Sequence, residues 1–392
     1  MIGAAVNRQG SALSGYRVLD LTDDKGMLCS RYLADMGAEV IRIEKPGKSP
    51  ARSPFYWGNL GKWAITLNIE LKPGREIFRR LVKTADVLVE SYPPGYLETL
   101  GLGYRQLNQI NPRLVMASIT DFGQSGPYRN YKSCDIVASA LGGQMYVCGE
   151  AESSPLKPFG NQSYYLASIF AAIGILLALW HRHTSARGQH IDISLHECVA
   201  ATLDHVLVRY FYQGVVAKRQ GSLYWSNAFR IFPCRDGYIL LSLFQQWETL
   251  VEWLQSEGMA EDLTDDKWLD RGYRLQHLNH IIEVLERWTR SHSVAELVVL
   301  GQLMHFPWAE VTSISGLVAS PQLEERGFWV EVQHPKSGKR YKFPGAPCKL
   351  SHSPWRVGSR LPKVGEHNKE IYHGELGLSE EDIEALIKEG IV

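Results

Sequence analysis

The first half of the chain alternates short apolar runs with amphipathic ones. Tyr16–Leu21 is an apolar run that predicts a strand, and Glu39–Glu44 is a second, rich in β-branched residues. Met27–Met36, between them, fits a helix closed by Gly37. Trp63–Ile69 predicts a third strand, Asp86–Glu90 a fourth and Leu114–Ile119 a fifth. Pro73–Thr84 predicts a helix with proline at its start, where the missing N–H has no helical partner to lose. Strands separated by helices of about 10–15 residues imply a parallel sheet with right-handed crossovers. The expected class is α/β, a Rossmann-like doubly wound large domain. In such sheets ligands sit beyond the carboxyl ends of the strands. The loops after Leu21, Glu44, Glu90 and Ile119 are therefore the places where a site is expected.

The stretch from Gly160 to Leu195 reads as helix, turn and strand. Its core, Ile169–Trp180, is apolar on every side and is expected to be buried all round. It is broken early by His181, Arg182 and His183, so it is expected to be too short to span a membrane. Arg187-Gly188-Gln189 makes the turn. His190–Ser194 alternates polar and apolar, as a half-buried strand does. The pattern changes near Leu223. Arg230–Leu241 reads as a hairpin turning at Asp236-Gly237, and helical segments follow at Trp247–Glu257, Arg274–Ser291 and Val294–Gly301. These segments predict a smaller α+β domain over 223–305. It divides the large domain into 1–222 and a return segment, 306–392. The tail helix opens with Ser379-Glu380-Glu381-Asp382, a good N-cap with acidic residues in the first turn.

Charge narrows the function classes. Lys plus Arg number 42 and Asp plus Glu number 42, so the net charge is zero. That balance gives no electrostatic reason to expect nucleic acid or an anionic membrane as partner. The six cysteines show no C-x-x-C spacing, and the first 14 residues lack the pattern of a signal peptide. Reduced thiols in a cytoplasmic protein, with no metal site, are the expectation. His181, His183, His190 and His196 are irregularly spaced, which favours packing and surface roles over metal ligation.

Seven motifs occur in order: L-A-D-M-G-A-E-V-I-R-I-E-K-P (33–46), N-L-G-K (59–62), A-D-V-L-V-E-S-Y-P-P-G (85–95), L-G-L-G-Y (100–104), N-P-R-L (111–114), F-G-Q-S-G-P (122–127) and the 160–195 stretch. Together they resemble the family III CoA-transferases, the CaiB/BaiF family. The resemblance implies an interlocked dimer. It also implies acyl-CoA and a small carboxylic acid as substrates, with no permanently bound cofactor. In that family an aspartate attacks the acyl-CoA and forms a mixed anhydride. The CoA thiolate then returns to give an aspartyl-CoA thioester, and the incoming acid displaces the aspartate. That aspartate lies ten residues before the glycine of G-I-L-L-A-L. Here the position is Tyr164, and no acidic residue occurs from Ser153 through Ile191. A phenol, with a pKa of about 10, is a poor substitute for a carboxylate in this chemistry.

Two more positions depart from the family. The loop Thr22–Leu28 replaces its usual A-G-P loop, and Thr99 stands where an arginine lies near the CoA phosphates. The resemblance carries a CoA cradle onto Lys45, Leu67, Ser91, Tyr92, Lys132 and Asp135. Lys132 is the best contact candidate among them, and four of the others have a plainer reading. Lys45 can be a solvated loop lysine, Leu67 and Tyr92 core packing, and Asp135 the cap of a helix starting at Ile136. Some family members are heteromers of two related chains, the benzylsuccinate CoA-transferases among them. The favoured expectation is therefore a non-catalytic subunit paired with a catalytic family III paralogue, with CoA binding by this chain weakened or lost. A complete homodimeric transferase with another nucleophile is the alternative. A racemase is a third, and Cys134-Asp135 lacks the histidine that branch uses.

Overall fold

A computed structural model describes residues 10–47, 56–224, 229–334 and 337–392. Six strands form one parallel sheet: β1 (Arg17–Leu21), β2 (Glu39–Glu44), β3 (Trp63–Thr66), β4 (Val87–Glu90), β5 (Val115–Thr120) and β6 (His190–Ser194). Their order is β3-β2-β1-β4-β5-β6. The chain winds outward from β1 in one direction and from β4 in the other. The doubly wound α/β class expected from the sequence is thus the observed one.

The helices of this part are α1 (Met27–Asp35), α2 (Lys72–Val82), α3 (Tyr96–Thr99), α4 (Tyr104–Ile110), α5 (Asp135–Leu141), α6 (Gln162–Ser185), α7 (Leu195–Ala201) and α8 (Asp204–Gln213). Alternate strand residues feed two cores, one on each face. Leu19, Ile41, Ile65, Leu88 and Met116 pack with Phe78 and Leu81 of α2 and with the C-terminal Ile391 and Val392. Val18, Val40, Val87, Val89 and Ala117 pack with Leu33 of α1 and with Ala167, Ala171 and Ile175 of α6. The small residues of α6 let its backbone lie close to the sheet. Gly188 serves the same close approach, because a Cβ there would stand 1.9 Å from the Leu114 carbonyl oxygen.

Two expectations for α6 need correction. It runs for 24 residues, so by length and composition alone it could cross a membrane. Nor is it buried all round. Ile169, Phe170, Ile173, Leu177 and Trp180 are exposed, the last two by 63% and 77%. One face lies on the sheet, where Arg182 near its end donates to the Asp86 carboxylate at 2.7 Å and the Arg113 carbonyl at 2.9 Å. The opposite face is an apolar stripe left exposed among the described residues.

The chain forms two compact units. The larger consists of Met1–Met145, Lys157–Val215 and Gln322–Val392. Its C-terminal segment binds the β3 edge: Tyr372 donates to the Thr66 carbonyl at 2.5 Å and Asn68 N–H to the Ile391 carbonyl at 2.7 Å. The tail helix is Glu380–Lys388, capped by Ser379 and Asp382 in the reciprocal box that its sequence announces. The smaller unit, Tyr146–Leu156 with Val216–Pro321, contains the whole 223–305 segment. Its hairpin pairs Phe229–Pro233 with Tyr238–Ser242 and turns at Asp236-Gly237. Behind the hairpin, Trp253 and Trp288 donate their indole N–H groups to Glu257, at 2.7 Å and 2.6 Å.

Candidate active site

The strand order reverses between β1 and β4. The crevice outside the carboxyl ends of such a pair is the natural ligand site of a doubly wound sheet. A cavity of about 760 Å³ lies there, lined by residues following β1, β2, β4 and β5 and by Arg129–Lys132.

A buried charge cluster holds the loop after β1. Asp20 and the Lys62 side chain are fully buried, with Lys62 Nζ 2.7 Å from Asp20 Oδ2. Lys62 also donates to the Met27 carbonyl, Ser30 Oγ and Asn59 Oδ1, each at 2.9 Å. Arg42 Nη1 stands 3.2 Å from Asp20 Oδ1 and also donates to the Thr22 carbonyl. Thr22 donates its N–H and O–H to Asp20 Oδ1, at 2.9 Å and 2.7 Å. Burial alone would raise the Asp20 pKa, but Lys62 and Arg42 outweigh it and hold the carboxyl below the usual range. Burial pulls the Lys62 ammonium down to about 8, against the attraction of Asp20. The N-L-G-K motif thus supplies a buried clamp in Lys62, and Asn59, which accepts from it, lines the cavity.

Of the residues carried over from the family resemblance, four reach this cavity. Ser91, Tyr92, Lys45 and Lys132 all line it. Ser91 is already engaged: it accepts the Asp23 N–H at 2.6 Å and donates to Asp23 Oδ1 at 2.8 Å. Tyr92 stacks on Tyr96 with ring centroids 4.8 Å apart. Lys45 pairs with Glu70 at the surface. The other two lie elsewhere. Leu67 is 2% exposed and belongs to the core on the α2 face of the sheet. It follows the last residue of β3, and its N–H still bonds the Glu44 carbonyl at 2.7 Å, which turns the side chain inward. Asp135 is 5% exposed and does not line the cavity. It caps a helix, though not its own: Oδ1 accepts the N–H and O–H of Ser163 in the first turn of α6, at 2.9 Å and 2.8 Å. Lys157 Nζ stands 2.8 Å from its other oxygen.

Tyr164 is half-buried against the α1 and α6 side of the sheet. Burial pushes its phenol up, the backbone N–H of Asp135 opposes that rise, and the charges of Asp23 and Asp121 add to it. It has no means of forming the thiol-reactive anhydride that a carboxylate forms. The sequence reading passed over Asp121, Arg42 and Arg129, which also line the cavity. Asp121 directly follows β5, and its Oδ1 is buried with no hydrogen-bond partner. Burial raises its carboxyl, Lys25 and Lys132 oppose the rise, and Asp23 adds to it. Its position at a strand end was the signal available in sequence. Among the described residues no group of three or more His, Cys, Asp or Glu is placed to hold a metal.

The model of CoA-transferase family III matches residues 13–368. The chain is 34% identical to the succinyl-CoA:(R)-benzylsuccinate CoA-transferase subunit BbsE of Thauera aromatica, over 98% of each chain. It is 30% identical to the succinyl-CoA–L-malate CoA-transferase beta subunit of Chloroflexus aurantiacus, over 97% of this chain and 98% of that one. The crystal structure of a CaiB/BaiF family protein from Brucella suis superposes with a TM-score of 0.84 at 27% identity, covering 93% of this chain and all of that one. With the fold, the motifs and the full-length match in agreement, this chain belongs to CoA-transferase family III.

Proposed function

We propose that this chain is the non-catalytic subunit of a heteromeric transferase that moves CoA from an acyl-CoA donor, such as succinyl-CoA, to a carboxylic acid. The observation that carries this reading is Tyr164 in the first turn of α6, with no acidic residue from 153 through 191. Two relatives whose names mark them as subunits support it. So does the bare apolar surface of the single chain. The stripe on α6 continues into a groove of about 670 Å³ bounded by Tyr32, Trp57, Phe343 and Trp355. Helix α8 has no buried residue and exposes Phe211 by 75% and Tyr212 by 86%. Surfaces of this kind are covered in an assembly. A catalytic family III paralogue, interlocked with this chain, is the partner that fits. Ser91, Tyr92, Lys45 and Lys132 are the CoA contacts this chain retains in the proposal. The cytoplasm is its proposed location.

One observation favours a second reading, a complete enzyme with a different nucleophile. Asp121 presents a carboxylate with an unbonded oxygen at the same cavity. A single experiment separates the two. The purified chain is incubated with succinyl-CoA and then with hydroxylamine, which attacks the side-chain carbonyl of an aspartyl-CoA thioester, expels CoA and leaves a hydroxamate on the protein. The first reading expects none on this chain and expects it on the paralogue in the co-purified complex. A hydroxamate at Asp121 that is lost in Asp121→Asn would establish the second reading instead.

A further inference from the structure

Strands β1 and β4 run side by side, with Leu21 opposite Glu90. Just past their ends, Asp23 and Ser91 meet across the crevice. Asp23 N–H donates to Ser91 Oγ at 2.6 Å, and the Ser91 hydroxyl donates back to Asp23 Oδ1 at 2.8 Å. This link spans the point at which a doubly wound sheet admits its ligand. Lys25 tightens it, with Nζ 2.5 Å from Asp23 Oδ2 and N–H 3.0 Å from Oδ1. The root of the loop is fixed, because Thr22 is 2% exposed and bonded to Asp20. Its tip is open: the Asp23 side chain is 53% exposed. What the bond does is occupy the Ser91 hydroxyl, at the end of β4.

We propose that Asp23 is a gate on this cleft. It holds the Ser91 hydroxyl and must release it before the amide-bearing pantetheine arm of CoA can lie along the ends of β1 and β4. The gate rests on the reading of this cleft as a CoA cradle. Opening it breaks the paired bonds to Ser91 and leaves the clamped root of the loop in place. Affinity for the arm is therefore reduced by the cost of opening, while affinity for the nucleotide end is untouched.

The test is equilibrium dialysis of the full-length chain with CoA and, separately, with adenosine 3′,5′-bisphosphate, the nucleotide end without the arm. Asp23→Ala removes the carboxylate that accepts the Ser91 proton and keeps the backbone N–H bond to Ser91 Oγ, and it is expected to bind CoA about tenfold tighter than the parent, with the bisphosphate unchanged. Asp23→Asn keeps an acceptor for Ser91 but removes the charge, and it is expected to stay within about threefold of the parent. Equal gains in both variants would assign the effect to charge and overturn the gate. An unchanged CoA affinity in Asp23→Ala, with weakened binding in Lys132→Ala, would overturn the gate while leaving the cradle intact. Failure of every variant to bind CoA would overturn the cradle reading, and the gate with it.

Discussion

The Asp135 carboxylate accepts both the backbone N–H and the hydroxyl of Ser163, at 2.9 Å and 2.8 Å, and so joins the first turns of α5 and α6. Asn161, at the usual capping position of α6, makes no side-chain cap bond. The cap comes instead from 28 residues upstream. Asp135→Ala should therefore destabilise the chain by about 1–2 kcal/mol, as loss of a helix cap does. Asp135→Asn keeps the acceptor and loses only the pairing with Lys157, so it should cost less. Urea unfolding midpoints of the two variants check the order, and equal midpoints would refute it.

The Asp20–Lys62 pair invites a larger effect. Lys62→Met leaves a fully buried carboxylate without its nearest cation and should cost about 3–5 kcal/mol. Adding Asp20→Asn removes the stranded charge and should recover a good part of that loss. The double-mutant cycle reads out the coupling. Additive losses would mean that the two side chains act independently.

Glu90 should give stability a pH dependence. It is 4% exposed, and burial raises its carboxyl to about 7 from 4.5, against bonds from Ser118 and the Tyr92 N–H. Between those values the folded chain holds a proton that the unfolded chain has lost. Its contribution is therefore full below about pH 4.5 and falls as pH rises to about 7. The two values differ by an amount worth on the order of 3 kcal/mol. Glu90→Gln should match the parent near pH 4 and exceed it at pH 8. Unfolding at both pH values decides the matter, and a difference independent of pH would contradict it.

Tyr164→Asp should not restore transferase activity. Asp23 and Asp121 already bear on this position, and like charges would hold a new carboxylate partly protonated. The Thr22–Leu28 loop also stands in place of the A-G-P loop that the family resemblance implies, where backbone donors would face the reacting carbonyl. One such donor is typically worth about 10²–10³ in rate. The comparison is Tyr164→Asp alone against the same change with a family-type A-G-P loop. An ordinary family rate from the single change would show that only the nucleophile had been lost.

The α6 stripe predicts an assembly defect without a folding defect. Leu177→Glu with Trp180→Glu alters two exposed side chains and should shift stability by no more than about 1 kcal/mol. Native mass spectrometry of the chain co-expressed with a catalytic paralogue should show the complex for the parent and lose it for the variant. Assembly that survives both glutamates would place the partner elsewhere.

The sequence by itself determined the elements of the parallel sheet, the doubly wound class, the capped tail helix and the lack of an acidic residue from 153 through 191. These follow from periodicity, turn residues and capping, which act over a few neighbouring positions. Tertiary structure alone decided which face of α6 stays bare, because an apolar helix looks the same from every side until a sheet covers one of them. It turned Leu67 into the core and sent Asp135 to cap a different helix. It joined Lys62 to Asp20 across 42 residues and Asp23 to Ser91 across 68. Bonds of that span depend on which strands become neighbours. The order β2-β1-β4-β5 brings these side chains to one crevice. No local pattern encodes their distances, because the partners are adjacent only after the sheet has formed.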